Sequence, residues 1–257
     1  MMSTTGFRRA FNRVETWIFD LDNTLYPSSC RLFDQIDERM GTFIAQLLKV
    51  DRIEARRIQK QFFYEHGTTL RGLMTGHGVN PDEFLDFVHD IDHSPIPANA
   101  ALASALQALP GRKLVFTNGT VAHADKVLSR LGLMDHFSGI FDIVHADYIP
   151  KPALGPYQKF VRDHAIEADR AAMFEDIARN LEVPHRLGMT TVLVSHPGNE
   201  DAQLVNAQDN GGRDDGGRDN GGRDDGGWDH VHYRTDDLAR FLQAIVADRA
   251  GALPRTA

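Results

Sequence analysis

Two aspartates that follow a short apolar run constrain the fold of this chain most strongly. Residues 16–19 read TWIF, and Asp20 and Asp22 come directly after them. The β-branched and aromatic content of the run predicts a buried strand of a parallel sheet. In open α/β sheets chemistry lies just beyond the carboxyl ends of the strands, so two carboxylates there would share one small space and need a cation or a shared proton. An Asp-rich turn with Asn23 and Thr24 capping a helix is the alternative.

Three later segments repeat the pattern of an apolar run that ends in chemically competent residues. Thr117 and Asn118 follow KLVF, Lys151 stands between two prolines, and Glu175 and Asp176 follow AAMF. Hydroxyl, amide and ammonium groups donate to anions, whereas an acidic pair suits a cation. Taken singly, each motif has another explanation. The Thr/Asn pair also fits a turn, and the lysine fits a solvated loop residue. The acidic pair also fits the first turn of a helix. The specific signal is the order of the four motifs, each after a separate predicted strand.

In that order the motifs resemble the signature of the haloacid dehalogenase (HAD) superfamily of phosphohydrolases, over about residues 16–195. Four segments are also similar to the pyrimidine 5′-nucleotidase branch of that superfamily. They are FDLDNTLYP at 19–27, GTTLRGL at 67–73, FTNG at 116–119 and FEDIARN at 174–180. The resemblance implies an α/β fold, a doubly wound parallel sheet with an inserted small helical cap.

The resemblance also implies a Mg²⁺-dependent phosphomonoester hydrolase that works through a phosphoaspartate. Asp20 would be the nucleophile, and Asp22 would act first as general acid and then as general base. Asp20, Asp176 and the backbone carbonyl of Asp22 would bind the Mg²⁺, with Glu175 acting directly or through a bound water. The expected substrate is a small phosphorylated metabolite, a pyrimidine nucleoside monophosphate such as UMP or CMP.

Three candidates would stabilise the negative charge on the transferring phosphoryl group. They are Thr117, the backbone amide of Asn118 and the ammonium group of Lys151. Asn180 would orient Lys151 or a metal-bound water. The twelve histidines offer no convincing pair of metal ligands, and His77, His89 and His93 are expected to be solvated.

Other reactions remain as alternatives. Dehalogenases of this superfamily lack the second aspartate, so Asp22 argues against dehalogenation. A phosphatase for a sugar phosphate or phosphoglycolate, a phosphotransferase that keeps the phosphoaspartate, and a catalytically silent phosphate-binding regulatory protein are the remaining readings. Every expected catalytic position is occupied, which argues against the silent protein.

The stretch 28–97 is too long for an ordinary loop, and its apolar residues recur at helical spacing. We expect helices that begin near residues 32, 53 and 81 and form a cap that contacts the leaving group. Within the cap, GTTLRGL is predicted to be a loop whose Thr68, Thr69 and Arg71 face the cleft; Arg71 pairing with a cap carboxylate is the alternative. The expected division is a catalytic core at 14–27 and 98–250, with the cap at 28–97.

The remaining predictions concern strands, the repeat and the cellular setting. Strands are expected at 16–20, 113–117, 141–145, 171–175 and 190–194, with a short edge strand at 231–233 and helices at 122–131 and 236–247. A five-residue Gly/Asp/Arg repeat predicts a disordered loop at 200–229 inside the core. Half of the formal charge of −8 lies in this repeat, so the rest of the chain is only mildly acidic, which disfavours nucleic acid as a partner. One cysteine and the absence of a span of transmembrane length predict a cytoplasmic protein with no membrane contact.

Overall fold

The structure, a computed structural model, describes residues 10–196 and 228–251. Apart from its last two positions, the predicted repeat loop at 200–229 lies outside the described residues. The described strands form one six-stranded parallel sheet in the order β3-β2-β1-β4-β5-β6. The strands are β1 Thr16–Phe19, β2 Arg112–Phe116, β3 Gly139–Phe141, β4 Ala171–Glu175, β5 Thr190–Val194 and β6 Tyr233–Thr235.

β1 lies in the middle of the sheet, and all four of its residues are buried. It pairs with β2 and β4, and Phe19 at its end lies level with Val115 and Phe174 on those strands. An apolar run of this kind is stable only when both faces of the strand are covered. The register brings the carboxyl ends of the three central strands to one edge of the sheet, which is where the predicted site residues follow.

Helices cover both faces of this sheet, as the predicted doubly wound α/β fold requires. On one face a large apolar cluster includes Trp17, Val115 and Leu242, and on the other Ile18 packs with Tyr157 and other apolar side chains. Each large apolar side chain that is buried fully contributes about 1.5–3 kcal/mol. The fold-class prediction is therefore confirmed. The helices of this part are α5 Ala100–Ala108, α6 Val121–Leu131, α7 Leu154–Asp163, α8 Glu182–Arg186 and α9 Leu238–Gly251.

Between β1 and α5 the chain forms a helical segment with its own apolar cluster, which includes Ile36, Leu73 and Phe84. The helices begin and end close to the positions that the apolar spacing predicts. Asp51 caps one of them by accepting from the backbone N–H of Glu54 at 2.9 Å. The helices are α1 Leu32–Leu48, α2 Arg52–His66, α3 Thr69–His77 and α4 Pro81–Val88. None of the helices in the described ranges has the length and apolar character needed to cross a membrane.

The prediction that GTTLRGL is a loop is wrong, because most of this segment belongs to α3. The side chain of Thr68 caps α3 by accepting from the N–H of Arg71 at 3.2 Å. Gly72 allows α3 to approach α2 closely, since a Cβ at this position would lie 2.4 Å from Phe62 Cβ. Thr68 and Gly72, which suggest a turn in the sequence, thus serve as a helix cap and a helix–helix contact.

The third strand is also displaced from its predicted position. It spans Gly139–Phe141, whereas the prediction placed it at 141–145. The carboxylate of Asp142 accepts from the backbone N–H of His145 and of Val121, each at 2.9 Å, so the chain turns directly after Phe141. The edge strand and the closing helix begin two residues later than predicted, at Tyr233 and Leu238.

Candidate active site

The predicted acidic residues meet at the carboxyl edge of the central strands. Side-chain oxygens of Asp20, Glu175 and Asp176 all lie within 4.8 Å of one another, and the three residues are buried. Asp20 follows β1, and its backbone N–H continues the pairing with β4 by donating to the carbonyl of Phe174 at 3.0 Å. The sheet register thus brings together two motifs that are far apart in the sequence.

Lys151 joins two of these acids. Its buried ammonium group donates to Asp20 Oδ1 and to Glu175 Oε1, each at 2.7 Å, and to the carbonyl of Phe116 at 2.9 Å. Asn118 Oδ1 accepts from the backbone N–H of Lys151 at 2.9 Å, which ties the loop that carries the lysine to the end of β2. Burial lowers the pKa of Lys151, but the charges of the two carboxylates outweigh this and raise it. The ammonium group therefore remains protonated beside Asp20.

Both carboxylate oxygens of Glu175 are bound by groups of the protein. Oε1 accepts from Lys151 and from the side-chain amide of Asn180 at 2.8 Å, and Oε2 accepts from the backbone N–H of Ile177 at 2.9 Å. Asp20 and Asp176 bring further carboxylate oxygens to the same place. Hard carboxylate oxygens in this number fit a divalent cation such as Mg²⁺, with water completing its shell.

Asp20 and Asp22 lie in contrasting electrostatic surroundings. Burial, together with the charges of Glu175 and Asp22, raises the pKa of Asp20 to about 7, although Lys151 opposes the shift. Burial also disfavours the ionised form of Asp22. The charge and hydrogen bond of His123 and the hydrogen bond of Tyr26 outweigh that effect and lower the pKa of Asp22 to about 2. Two carboxyl groups in one cleft thus differ in their affinity for protons, as acid and base groups in active sites commonly do.

Thr117 and Asn118 directly follow β2 and line the same cavity as the acidic cluster. The Thr117 hydroxyl oxygen accepts from the backbone N–H of Gly119 at 2.9 Å, and Thr117 is buried. Thr24, in the turn after β1, donates to Asp20 Oδ2 at 3.0 Å. These contacts fix the side chains that face the space between the strand ends.

A cavity of about 760 Å³ extends from these strand ends to the helical segment. Its lining includes Asp20, Asp22, Thr117, Asn118, Lys151, Glu175 and Asp176 on the sheet side. On the helical side it includes Arg56, Gln59, Phe63 and Tyr64. The volume falls within the range of pockets for small-molecule ligands.

The two predicted substrate-binding residues of the helical segment have different positions. Thr69 lines the cavity, and its hydroxyl donates to the carbonyl of Gln59 at 3.2 Å. Arg71 lies on α3, and the cavity lining from this segment consists of Thr68, Thr69 and Leu70. The lining of this cavity does not include Arg71, and its contact with substrate stays a prediction.

Sequence reasoning missed the residues that hold Asp22. Tyr26 donates to Asp22 Oδ1 at 2.6 Å, and His123 Nε2 lies 2.8 Å from the same oxygen. His93, which was expected to be solvated, is buried and lies against His123. Tyr26 belongs to the FDLDNTLYP segment, which is the one sequence signal for its role. Nothing in the sequence near His123 indicates a partner 101 residues away.

Comparisons with known proteins agree with this arrangement. The family model described as "Hydrolase: haloacid dehalogenase-like hydrolase" matches residues 14–188. Phosphate metabolism protein 8 of Saccharomyces cerevisiae is 28% identical over 138 residues, which are 49% of this chain and 42% of the yeast protein. The matched region thus spans less than half of the yeast protein.

Solved structures provide the comparison of folds. The HAD phosphatase from Thermococcus onnurineus has a TM-score of 0.56 and 15% identity, covering 91% of this chain and 99% of that chain. A 2-haloacid dehalogenase from Pseudomonas syringae has a TM-score of 0.50 and 16% identity, with the same coverage of 91% and 99%. At such identities these structures show a shared fold, and the chemistry must be argued from the site.

Proposed function

Because the chain belongs to the haloacid dehalogenase-like hydrolase family, we propose that it hydrolyses phosphate monoesters through a phosphoaspartate on Asp20. The single observation that carries the proposal is the buried cluster at the sheet edge. There Lys151 contacts Asp20 and Glu175, and Asp176 lies within reach of the same point. This cluster offers a nucleophile, a fixed positive charge and ligands for a cation in one place.

Asp20 is the nucleophile of the proposed reaction. One of its oxygens forms a bond to phosphorus while the bond from phosphorus to the ester oxygen breaks, which leaves the phosphoryl group on Asp20 and releases an alcohol. We propose that Mg²⁺ binds to Asp20, Asp176 and the backbone carbonyl of Asp22, with Glu175 acting through water. When bound, the Mg²⁺ supplies positive charge that favours ionised Asp20 and offsets its repulsion of a phosphate dianion.

Asp22 transfers the protons in both halves of the reaction. It donates a proton to the departing ester oxygen and later takes one from the water that attacks the phosphoaspartate. That second attack breaks the bond between phosphorus and Asp20 and releases inorganic phosphate. The low pKa of Asp22 keeps it ionised, which is the form that can accept a proton. For the first step, an incoming phosphate dianion raises its pKa again, because like charges disfavour ionisation.

Thr117, the Asn118 amide and Lys151 are proposed to bind the phosphoryl oxygens. Lysine acts against phosphate as a point charge, and Lys151 is held at the required edge by Asn118 and Phe116. Fixed donors aimed at the charge that develops on the phosphoryl group lower the barrier without reorganisation. Dehalogenation is the weaker alternative, since the hydrogen-bonded Asp22 has no role in that reaction.

The proposed substrate is a pyrimidine nucleoside monophosphate. The helical segment 28–97 would act as a cap over the core at 14–27 and 98–250, and Phe63 and Tyr64 on the cap side of the cavity are suited to stacking on a base. Thr69 lies on the same wall. Phosphatase activity on a sugar phosphate or phosphoglycolate is the second candidate, favoured by the several polar groups of the cap wall. A single cysteine is compatible with the reducing cytoplasm, which we propose as the location.

Phosphate release with Mg²⁺ tests this function directly. The substrates are UMP, CMP, purine monophosphates, sugar phosphates, phosphoglycolate and p-nitrophenyl phosphate, and Asp20→Asn is the control. We expect release from p-nitrophenyl phosphate and fastest release from UMP or CMP, with Asp20→Asn inactive. Sugar phosphates ranking above UMP and CMP would reject the nucleotidase assignment alone. An inactive wild-type protein would reject the phosphatase.

A further inference from the structure

Two donors hold one oxygen of Asp22 in a fixed position. The Tyr26 hydroxyl donates to Asp22 Oδ1 at 2.6 Å, and His123 Nε2 lies 2.8 Å from that oxygen. A carboxylate only accepts hydrogen bonds, so His123 presents its Nε2–H to Asp22. The other oxygen, Oδ2, faces Gly119 in the loop that follows β2, where an ideal Cβ would lie 3.7 Å away from it. The held oxygen and the oxygen that faces the strand ends are thus different atoms.

His123 is itself held by two other histidines. His93 Nε2 lies 3.3 Å from His123 Nδ1, and the ring of His89 stacks on the ring of His123 with centroids 4.6 Å apart. His89 also contacts the hydroxyl of Thr120, which caps the helix that carries His123. His89 directly follows α4 and His93 lies in the same connection to the core. The return from the helical segment therefore packs against the partner of Asp22.

We propose, on the basis of the proposed function, that His123 is a positioning residue which aims Asp22 Oδ2 at the leaving-group oxygen. Proton transfer requires a distance of about 2.6–3.2 Å between the two heavy atoms, so a carboxylate free to rotate loses much of its effect. His123 removes that rotation, and His93 fixes the plane of the His123 ring. His123 thus contributes to catalysis only through proton transfer by Asp22, because His123 does not line the cavity that holds the phosphoryl-binding groups.

This role predicts a dependence on the leaving group that simple packing of a buried histidine would not produce. An alkoxide leaves only when it is protonated, whereas 2,4-dinitrophenolate leaves as a stable anion. The ratio kcat/KM reports the steps up to release of the alcohol, so the later hydrolysis of the phosphoaspartate does not affect it. Loss of Asp22 positioning should therefore affect an alkyl phosphate much more than 2,4-dinitrophenyl phosphate.

The test compares His123→Leu and His123→Gln with the wild type, using glycerol phosphate or UMP as the alkyl ester and Mg²⁺ throughout. We expect His123→Leu to lower kcat/KM for the alkyl ester about 100-fold, and that for 2,4-dinitrophenyl phosphate less than about 3-fold. His123→Gln keeps an N–H near the position of Nε2 and should recover most of the loss. His145→Gln is the matched control, because the exposed His145 makes a similar contact of 2.6 Å to the buried Asp142, and neither residue lines the cavity.

Each result has a definite meaning. Equal losses for both esters, or no loss for either, would overturn the positioning role while leaving the phosphatase in place. A wild type that releases phosphate from neither ester would reject the proposed function and this inference with it. If neither His123 variant folds, as judged by circular dichroism, His93→Leu applies the same comparison: a selective loss for the alkyl ester supports the proposal, and equal rates reject it.

Discussion

The side-chain amide of Asn180 donates a 2.8 Å hydrogen bond to Glu175 Oε1, the oxygen that also accepts from Lys151. Together with the N–H of Ile177 on the other oxygen, this bond occupies Glu175 with groups of the protein. Glu175 therefore helps to hold the lysine in place. An amide suits this position because it donates, whereas a second carboxylate would repel Glu175.

Asn180→Leu should reduce activity about 10-fold, in line with the usual effect of removing a residue that orients a site. The change keeps the volume of the side chain and removes one donor to Glu175. The measurement is kcat/KM for the best substrate at saturating Mg²⁺, with unfolding followed by urea as the check on stability. Unchanged activity in a folded variant would contradict the orienting role of Asn180.

Lys151→Met should destabilise the protein by about 3–5 kcal/mol, because it leaves buried carboxylates without their cation. The free energy of unfolding is measured with urea in the presence of a chelator at pH 8 and at pH 5.5. The loss should be smaller at pH 5.5, where buried carboxyls take up protons instead of repelling each other. Lys159→Met is the control, since water screens its pair with Asp163 at the surface and loss of that pair should change stability little.

The raised pKa of Asp20 predicts how stability changes with pH in the presence of a chelator. Its pKa is about 7 in the folded protein and 3.8 in the unfolded reference, so the folded state binds more protons between these values. Its contribution to stability is fully present below about pH 4 and is lost as the pH rises through about 7. Asp20→Asn should flatten the decline in unfolding free energy between about pH 4 and 7. An equally steep decline in the variant would refute the assignment to Asp20.

Gly72→Ala should destabilise the helical segment by about 1–3 kcal/mol through overpacking. The new Cβ would lie 2.4 Å from Phe62 Cβ, in the contact between α3 and α2. Gly76→Ala in the same helix is the matched control, because its nearest neighbour, Phe62 Cζ, is 4.0 Å away. The control should be neutral or stabilising, since alanine favours helix. Thermal unfolding of both variants provides the measurement.

Substitutions of two arginines of the helical segment test whether the substrate contacts the cavity lining or a residue outside it. Arg56 lines the cavity and forms an ion pair with Asp37, whereas Arg71 lies outside the lining. Arg56→Ala should raise KM at least about 5-fold, the loss of about 1 kcal/mol of binding. Arg71→Ala should leave KM within about 2-fold. The reverse order would restore the original expectation for Arg71.

The sequence was sufficient to predict the acidic cluster, because each of its residues follows a local apolar run. Asp20 directly follows β1, whereas Glu175 ends β4 and Asp176 follows it, and the parallel pairing of these two strands brings the three acids together. The role of Lys151 was harder to predict from the sequence, because Lys151 lies in a loop. Its prediction rested on the order of the motifs and on no property of the loop itself.

The errors arose where tertiary contacts override local composition. GTTLRGL contains residues typical of loops, but Phe62 packs where a side chain at Gly72 would be, and this contact stabilises a helix. The turn after Phe141 depends on Asp142 bonding to Val121, which no local pattern reveals. The contact of His123 with Asp22 likewise depends on the folded arrangement of α6 and β1.

The central position of β1 has a consequence for how the site comes into being during synthesis. Asp20 directly follows a strand whose two neighbours in the sheet are made much later, and Lys151 follows Asp20 by 131 residues. The ammonium group is made only with the loop after β3, and the accompanying acids only with the end of β4. A nascent chain is therefore unable to gather this constellation until β4 has been translated.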